Sequence, residues 1–228
     1  MTRAPRPVRR PHAVIFDMDG LMLDTERLAP RAWCDAAAAV GVDFDFALIA
    51  PMVGRNFRDC ATLIVDRHGP EFPTAELMRA WHVAYDAIVE REGIALKPGL
   101  LALLDWLEAE GIPKAVATST RRDRAQAKLV QTALLRRFVA LIGGDEVANG
   151  KPAPDIFLAA ADRLSEAAAG CLVLEDSEPG VRAALAAGMT PIMIPDMHPP
   201  SAALIALEPL VLASLAEIPA HLAALPRI

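Results

Sequence analysis

Cysteine is scarce: Cys34, Cys60 and Cys171 are the only three in 228 residues. Their spacing fits no metal-ligand pattern and an odd number cannot pair completely within one chain, so a disulfide scaffold and a zinc site are both excluded. A reducing cytoplasm is the compartment that fits. Aromatic residues are few as well, at 5%, and alanine carries much of the apolar content. No run approaches the ~18–20 apolar residues of a membrane span. The opening MTRAPRPVRRPH has charge with no apolar stretch behind it, unlike a secretion signal. Excess positive charge is also missing. A formal net charge of -6 argues against a chain built to grip nucleic acid or an anionic membrane. The basic opening, residues 1–11, reads as a solvated, flexible tail. A monomer is the expected state.

What is present is the balance of a folded protein, 54% hydrophobic and 23% charged, which excludes global disorder. The length suits one sizeable core and a smaller accessory domain. Four short apolar runs each end at a polar or acidic residue: AVIF before Asp17, AVA before Thr118, CLVL before Glu175, and PIMI before Pro195 and Asp196. Continuous apolar character without alternation marks strands of a parallel sheet covered by helices on both faces. Helical patterns separate them: residues 100–111, 122–135, 155–164 and 179–188. The fold class is therefore α/β, with a Rossmann-like parallel sheet. One further strand and a helix are expected near the C-terminus.

About 70 residues lie between the first and second strands, against ~2–6 for an ordinary connection between strand and helix. Three stretches within them, 27–41, 57–69 and 74–92, have helical apolar spacing, so the insert reads as a small helical bundle. The expected division is a core of 12–22 and 97–228 and a helical cap of 23–96.

Asp17, Asp19, Thr118, Glu175 and Asp176 all fall at or just after the carboxyl end of an expected strand, where open α/β sheets build their sites. Any one of them alone would read as a loop carboxylate or a helix cap; their joint placement does not. Crowded carboxylates need a hard cation or a proton, and Mg²⁺ is the natural partner. Asp17 and Asp19, one residue apart, suit a division between nucleophile and proton carrier. Lys151, just before a helical pattern, supplies a positive charge.

FDMDG at 16–20, TST at 118–120, KPAPD at 151–155 and LEDSEPG at 174–180 together resemble the haloacid dehalogenase superfamily. The likeness is to its subfamily of β-phosphoglucomutase and small sugar phosphatases. Order, spacing and the helical insert agree over nearly the whole chain after residue 12. The resemblance implies that Asp17 is the nucleophile forming an aspartyl-phosphate and Asp19 the acid and base. It implies phosphoryl binding by Thr118, Ser119 and Lys151. It also implies Mg²⁺ held by Asp17, Glu175, Asp176 and the Asp19 backbone carbonyl. The expected activity is hydrolysis of a small phosphorylated metabolite, a sugar phosphate above all.

Four other readings compete with it. Dehalogenation needs no Mg²⁺ cluster, and phosphonoacetaldehyde hydrolysis needs a cap lysine, whereas Lys97, Lys114, Lys128 and Lys151 all lie outside the insert proper. A mutase like β-phosphoglucomutase places its catalytic histidine where counting from Asp17 gives Ala29, and basic phosphate ligands where this chain has Val53 and Phe57. Arg55 or Arg58 is the available substitute, and Arg55 is the cap residue expected to meet substrate. A non-catalytic phosphate- or metal-binding regulator would not require both Asp17 and Asp19. Among the remaining residues, Trp33, Trp81 and Trp106 read as packing residues, with stacking in the pocket as the alternative, and His68, His82, His198 and His221 as residues of helix faces or loops. Arg121, Arg122 and Arg124 read as a surface helix face, with Arg121 or Arg122 at the pocket mouth as the alternative.

Overall fold

The computed structural model describes residues 9–226, so residues 1–8 of the expected tail lie outside the described part. Arg10 is anchored, not frayed. Its backbone N–H donates to the Pro226 carbonyl at 3.0 Å, its guanidinium pairs with Glu110, and it lies 5.6 Å from the centroid of the Trp106 ring.

Six parallel strands form one sheet: β1 (Ala13–Phe16), β2 (Lys114–Ala117), β3 (Ala140–Ile142), β4 (Cys171–Glu175), β5 (Thr190–Met193) and β6 (Leu210–Val211), in the order β3-β2-β1-β4-β5-β6. The insert contributes α1 (Ala29–Val40), α2 (Ile49–Met52), α3 (Phe57–His68) and α4 (Thr74–Glu92). The core adds α5 (Leu100–Ala109), α6 (Arg122–Gln131), α7 (Asp155–Leu164), α8 (Glu178–Ala186), α9 (Ala202–Ile205) and α10 (Ile218–Ala223).

The apolar strands are continuous because both faces of the sheet are covered. Val14 and Phe16 of β1 point to one face, with Leu103 and Leu107 of α5, Leu129 of α6 and Leu222 of α10. Ala13 and Ile15 point to the other, against Phe157 and Ala160 of α7 and Ala183 and Ala184 of α8. Each fully buried side chain of the leucine or phenylalanine class contributes about 1.5–3 kcal/mol. The alanines on the second face let α7 and α8 lie close to the sheet, which is where much of the alanine content goes.

Two expectations need correction. The strand β3 was not foreseen, and the helix expected over 122–135 stops at Gln131, where Ala133 takes a left-handed φ of 58°. That residue breaks the helical hydrogen bonding and frees the chain to enter β3.

The insert is helical as expected, with no strand among its described residues. Trp33 stacks on Phe44 at 5.1 Å over Ile64, Leu77 and Met78, and Leu28, Ala32, Tyr85 and Ile88 make a second cluster beside them. The chain enters and leaves the insert side by side. Leu23 bridges Leu96, Asp24 donates its N–H to the Ala95 carbonyl, and Lys97 donates its own to that of Met22.

Candidate active site

The strand order reverses between β1 and β4, adjacent in the sheet and distant in the chain; such a switch point opens a crevice at the carboxyl ends of the strands. Phe16 lies in register with Leu174, so Asp17 and Glu175 leave the sheet together at this crevice. Lys151, buried to 1% exposure, reaches between them: its Nζ lies 2.5 Å from Asp17 Oδ1 and 2.5 Å from Glu175 Oε1. Burial works against the ammonium, yet the two carboxylates hold its pKa above the ordinary lysine value. The other oxygen of Glu175 accepts from the N–H groups of Asp176 and Ser177 and from the Ser177 hydroxyl. Glu175 thus enters the site with both oxygens engaged, and the freer carboxylates are those of Asp17 and Asp176.

One carboxylate oxygen from each of Asp17, Glu175 and Asp176 lies within 4.8 Å of the others. Burial pushes the Asp17 carboxyl up to about 8, with Lys151 opposing the shift and Glu175 adding to it. Burial, then Glu175 and Asp17, raise Asp176 well above the usual carboxylate range. Three acids against one ammonium leave negative charge that a proton or a hard divalent cation must offset, and carboxylate oxygens are the donors that Mg²⁺ takes. The residues present fit that ion. Gly20, at φ +83°, passes so close that a Cβ there would lie 2.3 Å from Asp176 Oδ2.

Asp19 stands apart from this cluster. Its Oδ1 accepts from Lys128 Nζ at 2.6 Å and from the Thr25 hydroxyl at 2.8 Å, and its Oδ2 accepts from the Thr120 hydroxyl at 2.7 Å. Burial pushes this carboxyl up, but Lys128 and the two hydroxyls outweigh it and hold the pKa below the ordinary value. Asp19 is therefore held as an anion. Thr118 is buried at the end of β2, with its hydroxyl oxygen accepting from the Thr120 N–H. The Ser119 hydroxyl donates to the Gly54 carbonyl of the insert at 2.9 Å, so it ties the cap to the core.

A cavity of about 160 Å³ lies between the strand ends and the insert. Asp17, Asp19, Thr118, Ser119, Arg121, Arg124 and Lys128 line its core side; Ala29, Trp33, Met52, Val53, Arg55, Phe57, Trp81 and His82 line the cap side. Arg55 sits in the break between α2 and α3, its Nε donating to the Pro51 carbonyl. Arg122 turns away to the Leu141 carbonyl and Glu146, while Arg121 and Arg124 reach the cavity. His82 was not foreseen there. It stacks on Phe57 at 4.4 Å, and burial followed by the nearby Arg124 pushes its pKa down to about 4, so it lines the wall uncharged. The cap rests on the core at several points. Gly54, at φ +76°, lies so near Ser177 that a Cβ would be 2.5 Å from its Oγ, Arg58 donates to the Ala148 carbonyl, and Arg124 pairs with Asp86.

The profile of the haloacid dehalogenase-like hydrolases matches residues 11–188. The chain belongs to this family. Among its relatives, the mitochondrial (DL)-glycerol-3-phosphatase 1 of Arabidopsis thaliana is 39% identical over 197 residues, covering 80% of this chain and 63% of that protein. A phosphorylated carbohydrates phosphatase of Thermotoga maritima is 31% identical over 177 residues, 78% of this chain and 82% of its own. Among solved structures, CbbY from Rhodobacter sphaeroides in complex with phosphate superposes with a TM-score of 0.76 at 30% identity, covering 91% of this chain and 96% of that one. This hydrolase thus shares its fold with CbbY over most of its length.

Proposed function

We propose that this hydrolase is a Mg²⁺-dependent phosphatase that releases phosphate from a small phosphorylated sugar or polyol through a phosphorylated Asp17. The observation that carries the reading is Asp17 itself. It is buried at the switch point, has one oxygen bound to Lys151 and the other uncommitted, and faces a cavity that also holds Asp19 and Thr118. The kinship with phosphatases of glycerol 3-phosphate and of phosphorylated carbohydrates supports the substrate class.

Phosphoryl transfer depends mainly on alignment and on compensating charge on the transferred oxygens. The free carboxylate oxygen of Asp17 attacks phosphorus in line, and the bond from phosphorus to the ester oxygen breaks. Asp19, having taken up a proton, delivers it to that departing oxygen. As an anion, Asp19 then accepts a proton from water, whose oxygen attacks phosphorus; the bond to Asp17 breaks, and inorganic phosphate and a free carboxylate result. In this reading Lys151 and the Thr118 hydroxyl hold the phosphoryl oxygens. Bound at Asp17, Asp176, Glu175 and the Asp19 carbonyl, Mg²⁺ would supply the remaining positive charge.

The test is phosphate release from acetyl phosphate, glycerol 3-phosphate and a panel of sugar phosphates, with Mg²⁺ and with EDTA. Turnover that EDTA abolishes is expected; undiminished turnover in EDTA, or none with any substrate, would sink the reading, the latter favouring a silent binder. A mutase remains as a second reading because Arg55, Arg121 and Arg124 give the cavity cations for a second phosphate. Against it, Ala29, Val53 and Phe57 line the same cavity and offer neither a proton relay nor a charge. With β-glucose 1-phosphate and catalytic β-glucose 1,6-bisphosphate, glucose 6-phosphate forming faster than free phosphate would reverse the choice.

A further inference from the structure

Lys128 is one of the buried cations that the steps above leave without a task. It lies on α6, a core helix, and its side chain is 13% exposed. Its Nζ makes two contacts that belong to different parts of the molecule. One is the 2.6 Å ion pair with Asp19 Oδ1 in the core. The other is the face of the Tyr85 ring on cap helix α4, with Nζ 5.0 Å from the ring centroid, within the range of a cation–π contact. One turn earlier on α6, Arg124 pairs with Asp86, the neighbour of Tyr85, so the two helices meet along a short seam with Lys128 at its inner end. Tyr85 cannot easily shift: it is buried among Leu28, Ala32 and Ile88 and stacked on Trp81 at 5.0 Å.

We propose that Lys128 is a positioning residue for Asp19 and that Tyr85 of the cap positions Lys128, so the proton-handling carboxylate is fully held only when cap and core lie together. This rests on the phosphatase reading above. The Thr120 hydroxyl holds Asp19 from the core, and the Thr25 hydroxyl holds it from the first residues of the insert, beside the Leu23–Leu96 bridge. Lys128 is the charged one of its three partners, and its own side chain lies against a cap helix, α4. Withdrawing α4 would leave the ammonium a long flexible arm free to swing toward water, and Asp19 would lose its charged partner. Closure of the cap and placement of the carboxylate are thereby the same event, a way to keep unguided water from reaching the phosphoryl group before substrate is enclosed.

The experiment is steady-state hydrolysis of acetyl phosphate with Mg²⁺ by the full chain and three variants, each checked for an intact fold by circular dichroism. Lys128→Met, which keeps length and removes charge, is expected to lower kcat by about tenfold or more while KM stays within about threefold, because a group that holds Asp19 acts on the chemical steps. Tyr85→Leu, which removes the ring, is expected to lower kcat by about threefold or more, and Tyr85→Phe, which keeps it, to recover most of that loss. An unchanged kcat in Lys128→Met, or a raised KM with kcat intact, would overturn the proposal; the second outcome would make Lys128 a substrate ligand. Equal losses in Tyr85→Phe and Tyr85→Leu would overturn the ring contact and put the brace in the hydroxyl; an unchanged kcat in both would remove the cap from the arrangement. Should Lys128→Met fail to fold, the Tyr85 pair decides alone. Absence of phosphate release by the unaltered protein would overturn the phosphatase reading instead.

Discussion

The two walls of the cavity are built on opposite principles. On the core side, charged groups are crowded, buried and already paired: Lys151 with Asp17 and Glu175, Lys128 with Asp19. On the cap side, aromatic and aliphatic surfaces are more prominent, with Thr25, Glu26, Arg55, Tyr85 and an uncharged His82 as the polar members. Pre-paired charge in a site from which water is largely excluded costs no reorganisation during a reaction, which suits bond making and breaking. A mostly apolar wall discriminates by shape and by a few polar contacts, which suits selection among substrates. The difference teaches that one set of residues performs the transfer and another chooses what is presented to it.

The largest expected effect comes from the core wall. Asp17→Asn keeps the size and an oxygen for Lys151 but removes the nucleophile, and should lower turnover about a thousandfold or more with Tm held. Near wild-type phosphate release by this variant would break the comparison at once. A middle-sized effect is expected from the cap wall. Arg55→Ala should lower kcat/KM for glycerol 3-phosphate or the preferred sugar phosphate by about tenfold, as loss of a charge-assisted hydrogen bond would. The loss on acetyl phosphate, too short to reach the cap, should be smaller. Equal losses on both substrates would assign Arg55 to the chemistry or to folding, and no loss on either would place it in solvent.

The smallest effect is on stability. His82 has a folded pKa of about 4 against an ordinary 6.5, because burial and Arg124 disfavour its charge. Between those two values the unfolded chain binds a proton that the folded chain does not, so this residue lowers stability as pH falls through that window. His82→Gln should therefore reduce the drop in Tm between about pH 7 and about pH 5 by on the order of 2 °C. An identical drop in both proteins would mean that the imidazole meets solvent freely and is not part of a dry wall.

Much of this arrangement was legible in the sequence, and what escaped has physical reasons. AVIF, AVA and CLVL announced three central strands because a strand covered on both faces has no polar side to show. The motif residues Asp17, Asp19, Thr118, Lys151, Glu175 and Asp176 lie around one crevice because each sits at a strand end or in the loop beside it. The strand β3 escaped because Ala140–Ile142 is short and ends in glycine, without the polar or acidic residue that marked the others. Lys128 escaped because, four residues after Arg124 on a polar helix, it has the pattern of a solvated face; only the packing of α6 against α4 turns that face inward. His82 escaped for the same reason, since helical spacing separates buried from exposed faces but does not tell a packed core from a cavity wall.

The bridge between Leu23 and Leu96 gives the insert a particular freedom. Because its two ends touch, the insert joins the sheet as a loop whose chain ends close at one place, and the entropy of closing such a loop grows only with the logarithm of its length. Helices could be exchanged, lengthened or replaced above that pin without disturbing the register of β1 with β2 or β4. The same pin makes the insert a replaceable tool head: a chimera that takes another family member's insert, spliced at residues 23 and 96, inherits a new substrate wall, and keeps its turnover where that insert also supplies what Thr25 and Tyr85 give to Asp19 and Lys128.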